Sequence, residues 1–265
     1  MSTVPMAFLR RDLFIWASYR TSVVSFAVGV GVLLGMVYFL GNAVDADSEH
    51  LNQYGGDYVA FLLAGFALTD FFNRGLSSLP GTLRECQQTG TLEPLLVTPL
   101  GLAAFIAGSS LFKLFLASIR AVLMLLFGVL VLGFWHAPDP VSMLIVLIPG
   151  AVAVFALSLL FSAFVILIKQ ADPIIAAYSL MAAVLGGLLF PVQALPIWIK
   201  PLAWFIPLSH TLTGLRLALH GSPPSDVLPQ ALALLALSAV LVPISIISFN
   251  WALSRAKQDG TLSQY

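Results

Sequence analysis

Six apolar stretches, each near the length of a bilayer-crossing helix, constrain this chain more than any other feature. A helix needs about 20 mostly apolar residues to cross the hydrocarbon. Residues 21–40, 58–79, 112–134, 142–168, 173–190 and 227–253 meet that requirement. They predict an all-α membrane protein with six transmembrane helices in a single transmembrane domain over residues 1–265. The chain is 59% hydrophobic and 9% charged. A soluble domain carries about 25% charged residues, so the natural solvent of this chain is a lipid bilayer. The formal net charge is +0, which points to no nucleic acid and no polybasic surface attachment. The one cysteine, Cys86, cannot form an intramolecular disulfide, and His50, His136, His210 and His220 show no metal-ligand spacing.

Residues 1–20 place Arg10, Arg11, Asp12 and Arg20 among Leu9, Leu13, Phe14, Ile15 and Trp16. That pattern suits an N-terminal interfacial helix with its arginines at the headgroups; the alternative is an extension of the first span. The following apolar run is too long for a cleaved signal peptide. Lys and Arg placement sets orientation. With six crossings, Arg10, Arg11, Arg20, Arg84, Lys169, Arg255 and Lys257 fall on one side. Asp45, Asp47, Glu49, Asp57 and Asp139 fall on the other, with Lys200 and Arg216. Both termini are therefore expected in the cytoplasm. Gly31 and Gly35 form a small-residue pair in the first span, explained by packing within the chain at least as well as by dimerisation.

Between the second and third spans lies a polar island, Arg84 to Pro99, which lipid alone gives no reason to exist. On this reading it faces the cytoplasm, where a soluble partner could push. Between the fifth and sixth spans, residues 190–221 are apolar but interrupted by Pro191, Pro196, Pro201 and Pro207. Proline breaks helix interiors and suits first turns. Two short helices are expected, over 196–204 and 208–219, the second stopping at Gly221. Such a pair would dip into the membrane and return as a re-entrant external hairpin. Phe190, Pro191, Pro196, Trp198, Pro207 and His210 would form an external gate, or else a membrane-resting cap with no gating role.

The spans carry few charges. Asp70 and Arg74 lie four apart and share a helix face, with Asn73 beside them; Lys113 and Arg120 lie seven apart on another. Asp70 can pair with Arg74, or with Lys113 or Arg120 on a neighbouring helix, and Lys113 can reach the interface. One acid among several bases does not make a proton relay. The chain has no phosphate-binding Gly-rich loop ending in Lys-Ser/Thr, no Gly-x-Ser-x-Gly elbow and no His-Glu-x-x-His. No catalytic residue, cofactor site or metal site is expected in this chain. Work against a gradient would then draw on a separate ATPase subunit, with ATP and Mg bound there.

Arg84-Glu85 followed by Gly90-Thr91-Leu92-Glu93-Pro94-Leu95-Leu96-Val97-Thr98-Pro99 resembles the cytoplasmic coupling region of type-2 ABC exporter permeases. The segments from Arg10 to Arg20 and from Phe190 to His210 are similar to that family's interfacial helix and re-entrant pair. The resemblance implies a permease that dimerises with a second copy, each bound to a separate P-loop ATPase, in a bacterial cytoplasmic (inner) membrane. It implies a coupling region over residues 82–99, with a coupling helix within 83–95. Glu85, Gln88, Gly90, Thr91, Leu92, Glu93 and Pro94 would be its ATPase contacts. The alternative for these residues is a solvated loop. Compact members of the family export drugs, lipids or lipid-linked glycans. An amphiphile suits an apolar pathway with Arg74, Lys113 and Arg120 along it. The competing readings are a secondary transporter or channel that uses Asp70, Arg74, Lys113 and Arg120, and a membrane assembly factor.

Overall fold

The computed structural model describes residues 10–14, 18–43, 57–91, 102–134, 138–168 and 171–258. Among the described residues there are helices and turns but no strand. The long elements are α1 (Arg20–Ala43), α2 (Tyr58–Gln88), α3 (Leu102–Leu130), α4 (Pro140–Ile168) and α8 (Pro224–Gln258). Between α4 and α8 lie α5 (Asp172–Leu185), a 3-10 turn (Val192–Ala194), the one-turn α6 (Lys200–Ala203) and α7 (Pro207–Leu219). Residues 10–14 are also helical, and Tyr19, which is not, separates them from α1.

Among the described residues, five helices are long and apolar enough to cross a membrane: α1, α2, α3, α4 and α8. The expected fifth span over 173–190 is instead α5, with 14 residues. At 1.5 Å per residue it covers about 21 Å, short of the roughly 30 Å of hydrocarbon. Gly187, at φ +88°, turns the chain just past its end. Even so, the chain passes between the two ends of the bundle in this stretch. Asp172 pairs with Arg84 near the last turn of α2, while the Leu189 carbonyl accepts from Tyr58 Oη at the first, 2.9 Å away.

α2 is the centre of the bundle. It packs against α1, α3, α4, α5 and α7, and α8 lies along α4. Phe61, Leu62, Leu63, Leu76, Leu79 and Leu83 of α2 are wholly buried. It also runs further than expected. The second span does not stop at 79; α2 continues to Gln88, 31 residues or about 46 Å. Its stop is local. Gly90, at φ +66°, takes the left-handed position, its N–H bonds to the Gln87 carbonyl at 3.2 Å, and Thr91 N–H bonds to Cys86 at 3.0 Å. The same closing motif ends α7 at Gly221, as its sequence predicts.

The continuity of α2 is unexpected because Pro80 sits inside it. Proline removes the bond to the carbonyl four residues back, here Leu76. Ser158 of α4 replaces it. Its hydroxyl donates to the Leu76 carbonyl at 3.0 Å and accepts from Leu79 N–H at 3.2 Å.

The proline-rich segment also departs from its reading. Pro196 does not open a helix; Pro201 sits in the first turn of the short α6. Pro207 does open α7, as expected for its neighbourhood. α7 lies beside the first part of α4. A Cβ on Gly150 would meet Thr211 at 2.7 Å, and one on Gly214 would meet Val146 at 2.7 Å. By contrast, a Cβ on Gly31 or Gly35 would meet nothing within 4 Å. Packing within this chain therefore does not explain that pair; the close approaches of α1 are at Gly29 and Gly41.

Replacing Ser158 by alanine should leave the buried Leu76 carbonyl without its donor and lower stability by about 1–3 kcal/mol. Ser162→Ala, which removes only a hydroxyl bonded to the backbone of its own helix, should cost much less. Thermal unfolding of the purified variants in detergent measures both.

Candidate functional site

The charged residues of the spans gather between α1, α2 and α3. Asp70 and Arg74 sit one helical turn apart on α2, and Asp70 Oδ2 lies 2.9 Å from Arg74 Nε. The same oxygen lies 3.0 Å from Arg120 Nε on α3. Arg120 is buried and donates from Nη2 to the Gly29 carbonyl of α1 at 2.8 Å. A Cβ on Gly29 would stand 2.9 Å from Arg120 Nη1, so glycine leaves room for the guanidinium. One carboxylate thus joins two helices and, through Arg120, a third. Of the three partners open to Asp70 by sequence, the structure selects Arg74 and Arg120.

Lys113 goes elsewhere. Its Nζ donates to Thr82 Oγ1 at 2.9 Å and lies 3.5 Å from Glu85 Oε2. A residue expected within the membrane thereby meets one expected to contact the ATPase. The spacing explains this: Lys113 precedes Arg120 by seven residues, so it lies two turns nearer the Gln88 end of α2.

Two cavities follow this line of charges. One, of about 480 Å³, is lined by Ser25, Arg74, Ser77, Lys113 and Arg120. The other, of about 450 Å³, is lined by Arg11, Thr82, Glu85, Cys86, Phe105 and Lys113. Lys113 borders both. Arg11 stays at the mouth, paired with Asp12 at 2.7 Å and donating to Ser109 Oγ at 3.4 Å. Among the described residues no cluster of His, Cys, Asp and Glu is suited to a metal ion.

The range 83–95 expected to hold a coupling helix falls partly on the end of α2 and partly outside the described residues. Residues 83–88 are the last turns of α2, with Leu83 and Cys86 buried against Phe249, Ala252 and Ala256 of α8. A second core therefore holds the end of α2, so it is no free-standing helix. Glu85 and Gln88 lie on that end, and Gly90 and Thr91 close it. Leu92, Glu93 and Pro94 lie outside the described residues. Arg84 forms an ion pair with Asp172 at the start of α5. The end of α2 is thus tied by charge to both α3 and α5.

At the other end of the bundle, the expected gate residues are spread out. Phe190 and Pro191 precede the 3-10 turn, and Trp198 is exposed in the turn before α6. His210 on α7 meets Gln230 of α8 at 2.9 Å and the Trp204 carbonyl at 3.0 Å. His210, Gln230 and Trp204, with Gln193 and Lys200, line a cavity of about 290 Å³. Trp204, rather than Trp198, is the tryptophan brought to His210.

By sequence, Arg216 stands out only as a basic residue on the outer side. In the structure it is buried in α7 and binds the carbonyls of Gly187 at 2.7 Å, Phe61 at 3.0 Å and Leu188 at 3.2 Å. Its guanidinium also lies 3.3 Å from the centre of the Phe61 ring. It fastens the turn after α5 to α2. The available signal was a lone cation inside an apolar helix.

A family model described as ABC-2 type transporter matches residues 7–220. The chain belongs to the ABC-2 type transporter family. It is 30% identical over 132 residues to proteins named probable multidrug ABC transporter permease YbhR, from Escherichia coli strain K12 and from Escherichia coli O157:H7. That alignment covers 48% of this chain and 34% of each relative, so the match spans about a third of their length. As an ABC-2 permease the chain is a multi-pass transmembrane protein, and its buried charges need an account within that class.

Asp70→Asn in this permease should leave Arg120 buried without its carboxylate and destabilise the fold by up to about 3–5 kcal/mol. Arg74→Gln, at a half-exposed partner, should cost about 1 kcal/mol or less. Thermal unfolding of the two variants side by side checks the ranking.

Proposed function

We propose that this chain is the membrane subunit of an ATP-driven ABC exporter, moving an amphiphilic substrate (a drug, a lipid or a lipid-linked glycan) outward. A separate P-loop ATPase, holding ATP and Mg, docks at the Gln88 end of α2, and two copies of the permease form the working dimer. Six crossings place both termini in the cytoplasm of a bacterial cell, at its inner membrane. α5 with the turn behind it serves as the short fifth crossing, and residues 190–221 serve as a re-entrant rim on the outer side.

The observation that carries this reading, beyond family membership, is the continuity of α2. One helix joins the Gly90 stop to the Asp70 cluster without a break. Pressure applied around Gly90 and Glu93 would move α2 as a rod. Arg84–Asp172 and Glu85–Lys113 would carry that movement into α5 and α3. Orientation is supported by charge. Arg11, Arg84, Arg255 and Lys257 cluster at one end of the bundle, because the last turns of α8 pack on the end of α2. Basic residues collect on the cytoplasmic face. A secondary transporter is less well supported: Asp70 is paired with two guanidinium groups through Oδ2, as suits a structural charge.

In liposomes holding the permease with its ATPase, Glu93→Arg should leave ATP hydrolysis running while export falls by about tenfold or more. Export by that variant at the wild-type rate would contradict the coupling role. Gradient-driven flux through the permease alone would contradict the ATP-driven reading.

A further inference from the structure

The cavity between α1, α2 and α3 has an unusual lining for a space flanked by lipid-facing helices. Arg74, Lys113 and Arg120 border it together with the hydroxyls of Ser25 and Ser77. Among the described residues, Asp70 and Glu85 are the carboxylates that meet these cations. Three positive charges against two negative ones leave one positive charge in excess. Arg120 lies about 27 Å along α3 from Leu102 and about 15 Å from Leu130, well inside that helix. A surplus charge at such depth is costly and marks a ligand or ion pathway.

We propose that this pocket binds the phosphodiester headgroup of an anionic membrane lipid. The proposal rests on the reading of the chain as a transporter of amphiphiles and narrows its substrate class. Several features favour this ligand. A phosphodiester carries a single negative charge and balances the surplus. Arginine presents a planar fork of donors and lysine a compact charge, and both suit phosphate oxygens. The volume, about 480 Å³, lies within the range of small-molecule sites, roughly 300–1,000 Å³. The outer faces of the lining helices are apolar, with Val24 and Val28 on α1 and Phe115 and Leu123 on α3 exposed, so acyl chains can lie along them.

Depth orders the cations. Lys113 stands nearest the Gln88 end and hydrogen-bonds Thr82, with Arg74 and Arg120 further in. A headgroup would meet Lys113 first and exchange its Glu85 contact for the phosphate. Arg74 is half exposed, with 47% of its side chain accessible, and can turn part of its donor fork to the lipid while keeping Asp70. Arg120, held by Asp70 and Gly29, forms the floor.

The test uses the full chain in phosphatidylcholine nanodiscs containing a minority of phosphatidylglycerol, with retained lipid counted by native mass spectrometry and no ATPase present. Wild type should retain phosphatidylglycerol in preference to phosphatidylcholine, and inorganic phosphate should not displace it. Lys113→Gln and Arg74→Gln should each weaken retention about tenfold, the scale of one charge-assisted hydrogen bond. Lys113→Arg should preserve it. Both altered positions are partly exposed, and thermal unfolding confirms that the variants are folded. Equal retention by wild type and the glutamine variants, or no preference between the two lipids, overturns the site. Displacement by inorganic phosphate assigns it to a free anion and overturns the lipid headgroup. Failure here leaves the coupling experiment with Glu93→Arg untouched, because that experiment reads ATP-driven export and this one reads binding alone.

Discussion

Hydrocarbon offers no hydrogen-bond partner, so every polar group between the two faces of the membrane must be satisfied by the protein itself. That constraint falls most heavily on α2. It carries Asp70, Arg74 and Asn73 in its middle and Pro80 beyond them. Two of these demands are met by neighbouring helices. Ser158 of α4 serves the carbonyl released by Pro80, and Arg120 of α3 serves Asp70. Arg216 of α7 binds the Phe61 carbonyl at the start of α2 and ties in the turn after α5. The neighbours of α2 are therefore placed by polar needs as well as by apolar packing.

On the proposed reading, the same placement would link structure to transport. The polar contacts run along one helix from Tyr58 to Gln88, so a displacement at one end reaches partners on α3, α4, α5 and α7. The Gln88 end is held by the second core and by ion pairs, and the ion pairs can be exchanged at lower cost than the packed contacts. Lys113 belongs to both the end brace and the basic pocket. A push on the end of α2 would alter the Glu85–Lys113 contact and with it the mouth of the pocket. Coupling and substrate handling would then share one side chain.

Much of this was legible in the sequence. Apolar length gave the long helices, and helical spacing put Asp70 beside Arg74. Gly221 and Pro207 marked the limits of α7 through their own backbone preferences, and no neighbour was needed to place them. Features set by tertiary contact were not legible. The sequence offered Asp70 three partners, and only the rotation of α3 against α2 selected among them. The second span is expected to end at 79, yet α2 runs on through Pro80 to Gln88. The Ser158 hydroxyl that rescues the helix lies on α4, far away in sequence. Gly31 and Gly35 matched a packing motif, yet the face of α1 that meets the bundle holds Gly29 and Gly41. Which stripe of an almost wholly apolar helix turns inward is decided by its neighbour.

On the proposed reading, an ATPase subunit presses on the permease at the Gln88 end of α2. A photo-crosslinking amino acid at Gln88, in membranes containing the active complex, tests it most directly, with the same probe at Asn42 on the opposite end of the bundle as control. The account predicts an adduct with the ATPase from Gln88 and none from Asn42. An adduct from Asn42, or a Gln88 position that reacts only with reagents confined to the outside of the cell, would contradict it.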